Sequence, residues 1–405
     1  MCKHLRKIPK LVGAIRLETL NCNGCESLDQ LPCMTHLVSL KWLNLSDCRL
    51  IAEFPEVKGL KQLVCLRLGG TKIEEVPSFV GSLEKLRRLE MRETNISEIN
   101  LEVPRRQCLE KLDVSDCKEL ERVTFAEYPG NVDENLEEFL LFMNCNKLNK
   151  DARDNITAHV MRIIRYLAKQ SAKQLAEKSI DVIHESNPHR VQCCFPGSKI
   201  SAKFEYCRND LQLHWAPSKS RPFKLKGKWM GVYWNFSNFS VNLKSGCATD
   251  STRFLYFALF LVLHSESHYV PHTLWFECNY QLKGESHYVP DTLWFECNYQ
   301  LKGTDGSSQN FKRHWSLKPP ARSSGEHVYV VFREDMVHRD KDYKEASFSL
   351  FFESSFGCAW KDISVNKIGI QVLSVDAESL TVTPVCCTLT FLPHQLALRL
   401  LRCGR

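Results

Sequence analysis

Leu43-x-Leu45-x-x-Cys48, Leu66-x-Leu68-x-x-Thr71, Leu89-x-Met91-x-x-Thr94 and Leu112-x-Val114-x-x-Cys117 are four copies of one phrase, each 23 residues after the last. Leu20-x-Cys22-x-x-Cys25 is a weaker copy 23 residues upstream, and a further apolar residue precedes each strong copy by three positions, at Leu40, Leu63, Leu86 and Leu109. A fixed period of this length marks a chain that stacks one supersecondary unit on the next. Each unit supplies a short strand, whose alternate leucines point inward, and a turn that returns the chain. The Cys or Thr closing each phrase is small enough for a tight buried turn and can make a weak hydrogen bond there without water. Packing therefore explains these cysteines. Cys22-x-x-Cys25 is half of a zinc pattern with no second half at suitable spacing, and no metal is assigned.

Residues beside the inward leucines project from the strand face. They are Trp42, Asn44 and Ser46, then Cys65, Arg67 and Gly69, then Arg88, Glu90 and Arg92, then Lys111, Asp113 and Ser115. Arg and Trp are common anchors of interfaces, so Trp42, Asn44, Arg67, Arg88, Glu90, Arg92, Lys111 and Asp113 form the candidate protein-binding face; a plain solvated face is the alternative. Cys2 stands 23 residues before Cys25, and Leu5-Arg6-Lys7-Ile8-Pro9 repeats Leu28-Asp29-Gln30-Leu31-Pro32. The expectation is a repeat whose own strand is absent, with an uncapped end that is either truncated or covered by a partner.

The period lengthens after Cys117, and Phe142-Met143-Asn144-Cys145-Asn146-Lys147-Leu148 closes the ladder 28 residues later. From Asp151 to about Glu185, the spacing of Ile156, Val160, Ile163, Ile164 and Leu167 predicts a helix that caps and links. Its opposite face, with Arg153, Arg162, Arg165 and Lys169, is read as solvated. From Val191 the period becomes two, in strands at Leu211–Trp215, Gly231–Trp234, Phe254–Leu263, Trp275–Leu282, His327–Phe332, Ser347–Phe352 and Ile368–Leu373. The expected class is α+β: a leucine-rich-repeat solenoid over 1–148, a helical linker over 149–190, an antiparallel β-sandwich of jelly-roll or immunoglobulin-like form over 191–375, and a divergent tail over 376–405.

The repeat, with its Cys/Thr alternation and with Pro after the return segment (Leu31-Pro32, Phe54-Pro55, Val76-Pro77), resembles that of plant intracellular immune receptors. Asn144–Leu148 followed by a helix, Cys194-Phe195-Pro196-Gly197-Ser198, Phe254–Leu259, Cys297–Lys302 with Asp305-Gly306, and Glu326-His327-Val328-Tyr329 resemble the post-repeat domain of the same class. That class comprises the plant disease resistance proteins with Toll/interleukin-receptor, nucleotide-binding and leucine-rich-repeat parts. The resemblance implies that repeats and C-terminal domain together bind a pathogen effector; a host immune receptor protein is the other candidate partner. It also implies a nucleotide-binding module and NAD cleavage, but no Gly-x-x-x-x-Gly-Lys-Ser/Thr loop is present, so neither activity is carried over and no cofactor is assigned.

The 405 residues carry 43% hydrophobic and 25% charged side chains, too apolar for disorder and too long for one ordinary core. A formal charge of +7 without a basic block argues against a specific nucleic-acid binder. The 19 cysteines are read as reduced thiols, the first residues lack a signal-peptide core, and the apolar run Phe254–Leu263 is too short to span a membrane; a cytoplasmic or nuclear protein is expected. Glu266–Gly284 and Glu285–Gly303 are adjacent 19-residue copies differing only at His272 and Asp291. One copy is expected to take a place in the sandwich, the other an extra strand or bulged loop. His264, His268, His272 and His287, and Glu277 with Glu296, gather around this duplication and have no independent support as a catalytic set. The chain is read as a non-enzyme. A non-signalling fragment and a carbohydrate- or other ligand-binding β-sandwich are the alternative readings.

Overall fold

The computed structural model describes residues 2–55, 57, 59–101, 109–126, 137–177, 189–199, 223–225, 228–230, 232–243, 253–265, 293–317, 325–339, 343–354, 363–385 and 387–391. The chain divides into two compact units: Met1–Ser201 with His327–Met336, and Ala202–Glu326 with Val337–Arg405.

In the first unit the strands are β1 (Thr19–Asn21), β2 (Trp42–Asn44), β3 (Cys65–Arg67), β4 (Arg88–Glu90), β5 (Glu98–Leu101), β6 (Lys111–Asp113), β7 (Arg122–Phe125) and β8 (Glu137–Leu141), followed by helix α1 (Lys150–Glu177) and β9 (Arg190–Pro196). The 23-residue period becomes a register: Leu20, Leu43, Leu66, Leu89 and Leu112 are Cα partners in successive parallel pairs, and Leu140 continues the column. From Leu43 onward these leucines are buried, each burial contributing roughly 1.5–3 kcal/mol. The backbone ladder runs past the strands, through Leu45 N–H to Arg67 C=O (2.8 Å), Leu68 N–H to Glu90 C=O (2.7 Å) and Met91 N–H to Asp113 C=O (2.8 Å).

The closing Cys and Thr side chains turn back onto the chain. Thr71 Oγ1 donates to Leu68 O (2.7 Å), Thr94 Oγ1 to Met91 O (2.9 Å), Cys48 Sγ to Cys22 O (3.1 Å), Cys117 Sγ to Met91 O (3.0 Å) and Cys145 Sγ to Val114 O (3.1 Å). Burial pushes the Cys22, Cys48 and Cys117 thiols up to about 11, so at neutral pH all three stay protonated and Cys48 and Cys117 can donate these bonds. The residue before each closing Cys or Thr has a positive φ: Gly24, Asp47, Gly70, Glu93, Asp116 and, in the lengthened unit, Asn144.

Helix α1 opens on Asn149, whose Oδ1 accepts the Ala152 N–H at 2.7 Å, as an N-cap does. Its buried stripe includes Ile156, Val160, Ile163, Ile164 and Leu167. Asn155 Nδ2 donates to Val123 O in β7 (3.1 Å). The helix connects β8 to β9, which pair in parallel with Leu140 opposite Cys193; parallel neighbours cannot be joined by a tight hairpin and need such a crossover. On the other side of β9 lies β16, antiparallel, with His327 opposite Pro196 and Arg333 opposite Arg190.

The second unit contributes β10 (Phe223–Leu225), β11 (Lys228–Met230), β12 (Val232–Leu243), β13 (Arg253–Ser265), β14 (Leu293–Gly303), β15 (Ser308–Leu317), β17 (Tyr343–Ser354), β18 (Ile363–Asp376), β19 (Val382–Pro384) and β20 (Cys387–Phe391); β16 itself spans Gly325–Arg339. A five-stranded antiparallel sheet has the order β15-β14-β17-β12-β20, and β13 pairs antiparallel with β18. Phe257 of β13 meets Tyr299 and Phe348 at ring centroid distances of 6.1 and 5.5 Å, and the Tyr299 hydroxyl is 2.7 Å from His338 Nε2. Leu293–Gly303, from the second copy of the duplicated segment, is β14; the first copy, Leu211–Trp215 and residues 392–405 lie outside the described residues.

The strand order corrects the expected class and architecture. The described residues are mostly strand with a single α-helix, and the largest sheet has eleven strands, mixed in direction, in the order β1-β2-β3-β4-β6-β8-β9-β16-β13-β18-β19. This is not an α+β chain made of a repeat solenoid, a linker and a following β-sandwich. The physical reason is the open edge of β8. A sequence period identifies which residues stack, but not what pairs with the last strand; here Val191–Phe195, buried throughout, takes that edge.

Candidate protein-binding face

The outward side chains of β2, β3, β4 and β6 fall in two columns fixed by the register. Trp42, Cys65, Arg88 and Lys111 are Cα partners in one; Asn44, Arg67, Glu90 and Asp113 are partners in the other. The structure thus brings together the sequence-predicted residues, but with different exposures. Trp42 is 42% exposed and Arg88 is also exposed; Asn44, Arg67, Glu90, Arg92 and Lys111 are half-buried, and Asp113 is buried at 2%.

The charges satisfy one another across strands. Arg67 Nε lies 3.4 Å from Glu90 Oε2, Lys111 Nζ lies 2.7 Å from Glu90 Oε1 and 3.4 Å from Asp113 Oδ2, and Arg92 reaches Asp113 and Asp116 at 3.8 Å each. Asp113 also accepts the Ser115 N–H at 3.2 Å. A buried carboxylate needs this compensation, because removing it from water unpaired is costly. Asp113 therefore organises the face from beneath and offers nothing to a partner. Along the flank, Glu110 holds Arg87 at 2.9 Å and Arg88 at 3.5 Å.

The other end of the face is uncharged. Asn44 Oδ1 accepts the Ser46 N–H (3.0 Å) and Asn21 Oδ1 the Asn23 N–H (3.1 Å), the same local turn that Asp113 makes. Beside them Trp42 stands as a large exposed aromatic. The sequence reading missed Glu110, Asp116, Asn144 and His327. Glu110 and Asp116 lie 23 residues after Arg87 and Glu93, so the period could have found them. His327 could not be found this way: its Nε2 accepts the N–H of Asn144 (3.0 Å), 183 residues away, and Asn144 Nδ2 in turn donates to Asp116 Oδ1 (2.6 Å).

On the return segments, a groove of about 1110 Å³ is lined by Phe54, Phe79, Glu53, Glu74, Lys61 and Lys72, among others. Among the described residues no three His, Cys, Asp or Glu side chains converge to hold a metal, and no helix is long and apolar enough to cross a membrane. His264 lies in β13, whereas His268, His272, His287 and Glu277 fall outside the described residues. No known protein-family model matches the chain, and no curated protein sequence matches it.

Proposed function

We propose that this chain is a protein-recognition module of plant innate immunity, taking a pathogen effector or a host immune receptor protein on the outward face of β2, β3, β4 and β6. It acts in the cytoplasm or nucleus and catalyses no reaction. The observation that carries the reading is Trp42, exposed beside a lattice of charges that neutralise one another. A large aromatic with one polar edge is the commonest kind of interface anchor, and a self-paired lattice sets shape and orientation more than affinity. The repeated Leu-x-Leu-x-x-Cys/Thr phrase and the Asn144–Leu148 segment support placing that module in an immune receptor.

The test is calorimetric titration of the full chain and its variants with effector proteins recovered from a pathogen secretome screen. Trp42→Ala should weaken binding at least about tenfold, the usual cost of losing an anchor, and leave the melting temperature unchanged. Arg88→Glu should weaken it less. Arg92→Glu is the contrasting variant: it strips a cation from buried Asp113 and should cost about 1–3 kcal/mol of stability. Unchanged affinity for both Trp42→Ala and Arg88→Glu would show that the partner binds elsewhere.

A further inference from the structure

The five-stranded sheet β15-β14-β17-β12-β20 has a buried apolar side and, opposite it, a side rich in amides and hydroxyls. Tyr299, Leu301, Ala346, Phe348, Val241 and Leu243 are buried, and successive residues of a strand alternate between faces, so the residues between them fall on the other side. There the register sets out two rows. Asn310, Gln300, Ser347, Ser240 and Thr390 are successive Cα partners across the five strands, and Ser308, Lys302, Glu345, Asn242 and Thr388 form the next row. Ser308, Asn310 and Asn242 are exposed, whereas Ser347 and Ser240 lie at the floor, 5% and 3% exposed.

Asparagine is depleted in strands, yet this sheet holds five: Asn235, Asn238, Asn242, Asn298 and Asn310. All five take register positions on this one side, Asn298 and Asn238 both opposite Ser349. Asn235 does so only because the β-bulge between Asn235 and Ser237 shifts the alternation by one residue. Local sequence rules broken repeatedly on one side of an element point to function. Gln300 Nε2 donates to Asn310 Oδ1 at 3.0 Å, which leaves Gln300 Oε1 as an acceptor and Asn310 Nδ2 as a donor. The one carboxylate of the two rows, Glu345, is spent internally, on Lys302 Nζ at 3.1 Å, Ser347 Oγ at 2.8 Å and the Ser240 hydroxyl. The rows are therefore neutral as a whole and still carry both donors and acceptors.

We propose that this side of the sheet binds a neutral carbohydrate, an extended oligosaccharide whose hydroxyls exchange hydrogen bonds with Ser308, Asn310 and Gln300 beside the serine floor. A sugar hydroxyl is donor and acceptor at once, and a carboxamide offers one group of each kind to match it. The register also brings Trp294 and Tyr233 to this side, both opposite Glu353; aromatic residues at the end of an amide field suit the C–H faces of a sugar ring, which the negative face of an aromatic ring attracts. A nucleic acid needs a field of cations to displace its counterions, and the two rows supply one lysine, already paired. A protein partner draws on aromatic and arginine anchors, with serine under-represented, and the two rows hold neither anchor. The site shares no residue with the Trp42 face and stands whether or not that face binds an effector.

The experiment is calorimetric titration of the full chain with four neutral probes, cellohexaose, chitohexaose, laminarihexaose and xylohexaose, at low and at high salt. At least one should bind saturably, with the same affinity at both salt concentrations. Asn310→Asp keeps the bond from Gln300 and removes the Nδ2 donor; it should weaken that probe at least about tenfold, the cost of leaving a hydrogen-bonding group unsatisfied, with an unchanged melting temperature. Gln300→Glu should do the same, and Lys312→Gln should leave the affinity as it is. Trow42-face binding is read separately, because Trp42→Ala should bind the probe as the wild type does. No saturable binding by any of the four probes overturns the proposal. So does binding that Asn310→Asp and Gln300→Glu both leave intact, which would place the sugar elsewhere. An affinity that falls with salt, or that polygalacturonate matches, would make the ligand an anion and overturn it as well.

Discussion

His159 shows how one side chain can set the acid sensitivity of a unit. Its ring stacks on Phe125, with centroids 4.1 Å apart and planes within 8°. Burial, assisted by the charge of Arg162, pulls its pKa down to about 3, whereas an unfolded chain titrates a histidine near 6.5. Between those values the unfolded state binds a proton that the folded state refuses. The stabilisation is therefore complete above about pH 6.5 and declines as pH falls, by up to about 1.4 kcal/mol per pH unit until the folded value is reached. His159→Phe keeps a flat ring and removes the proton site. Urea midpoints of variant and wild type should be close at neutral pH and should separate in favour of the variant at pH 5; parallel pH profiles would show that His159 charges in the folded state without cost. The sequence carried no signal for this. His189, His327 and His338 are buried as well, and no local pattern announces it, because the strands that enclose them come from distant parts of the chain.

At the scale of the element, the repeating turn uses left-handed backbone at one fixed position, filled by Gly24, Asp47, Gly70, Glu93, Asp116 and Asn144. Gly, Asp and Asn tolerate that conformation, and Glu does not gain the local hydrogen bond that helps the shorter side chains. Glu93 has φ 54° and is exposed. Glu93→Gly should raise stability by about 1 kcal/mol, the relief of left-handed strain less the added flexibility of the unfolded chain. Gly70→Ala should do the reverse, since φ is 70° there and a Cβ would come within 2.9 Å of Asp47 Oδ1. Paired denaturant titrations check both; destabilisation by Glu93→Gly would mean that the Glu93 side chain supports the turn in another way. The turn position, like the leucine register, follows from the 23-residue period, so the candidate face was legible as columns. Which members were exposed was not, because the depth of Asp113 depends on Lys111 and Arg92 closing over it. The pairing of β5 with β7, Ile99 opposite Val123, escaped the same reading because these short segments carry no repeated phrase of their own.

For the whole molecule, the decisive feature is that the first unit is discontinuous in sequence. Residues 327–336 of β16 complete it, covering the edge of β9 and bringing Glu334 against His189, with Oε2 2.7 Å from Nδ1 and the Glu334 N–H donating to His189 O at 3.0 Å. Burial alone would raise the Glu334 pKa, but the hydrogen bond and charge of His189, with the Ser171 hydroxyl, outweigh it and hold the carboxyl below its usual value. A boundary drawn after the helix, as the change of period suggested, separates His189 from this partner and His327 from Asn144. A fragment ending at residue 201 should therefore be less stable than the same unit in the full chain by more than about 3 kcal/mol, the usual loss when one member of a buried pair is removed. With the apolar β9 edge unpaired, it should also self-associate. Joining residues 325–339 to that fragment through a flexible linker should restore a monomer with the midpoint of the full chain, while Glu334→Ala in the joined segment should restore the monomer but not the midpoint. If the fragment ending at residue 201 unfolds at the full-chain midpoint without the added strand, β16 contributes pairing without stability, and the repeat strands with α1 and β9 already form a self-sufficient core.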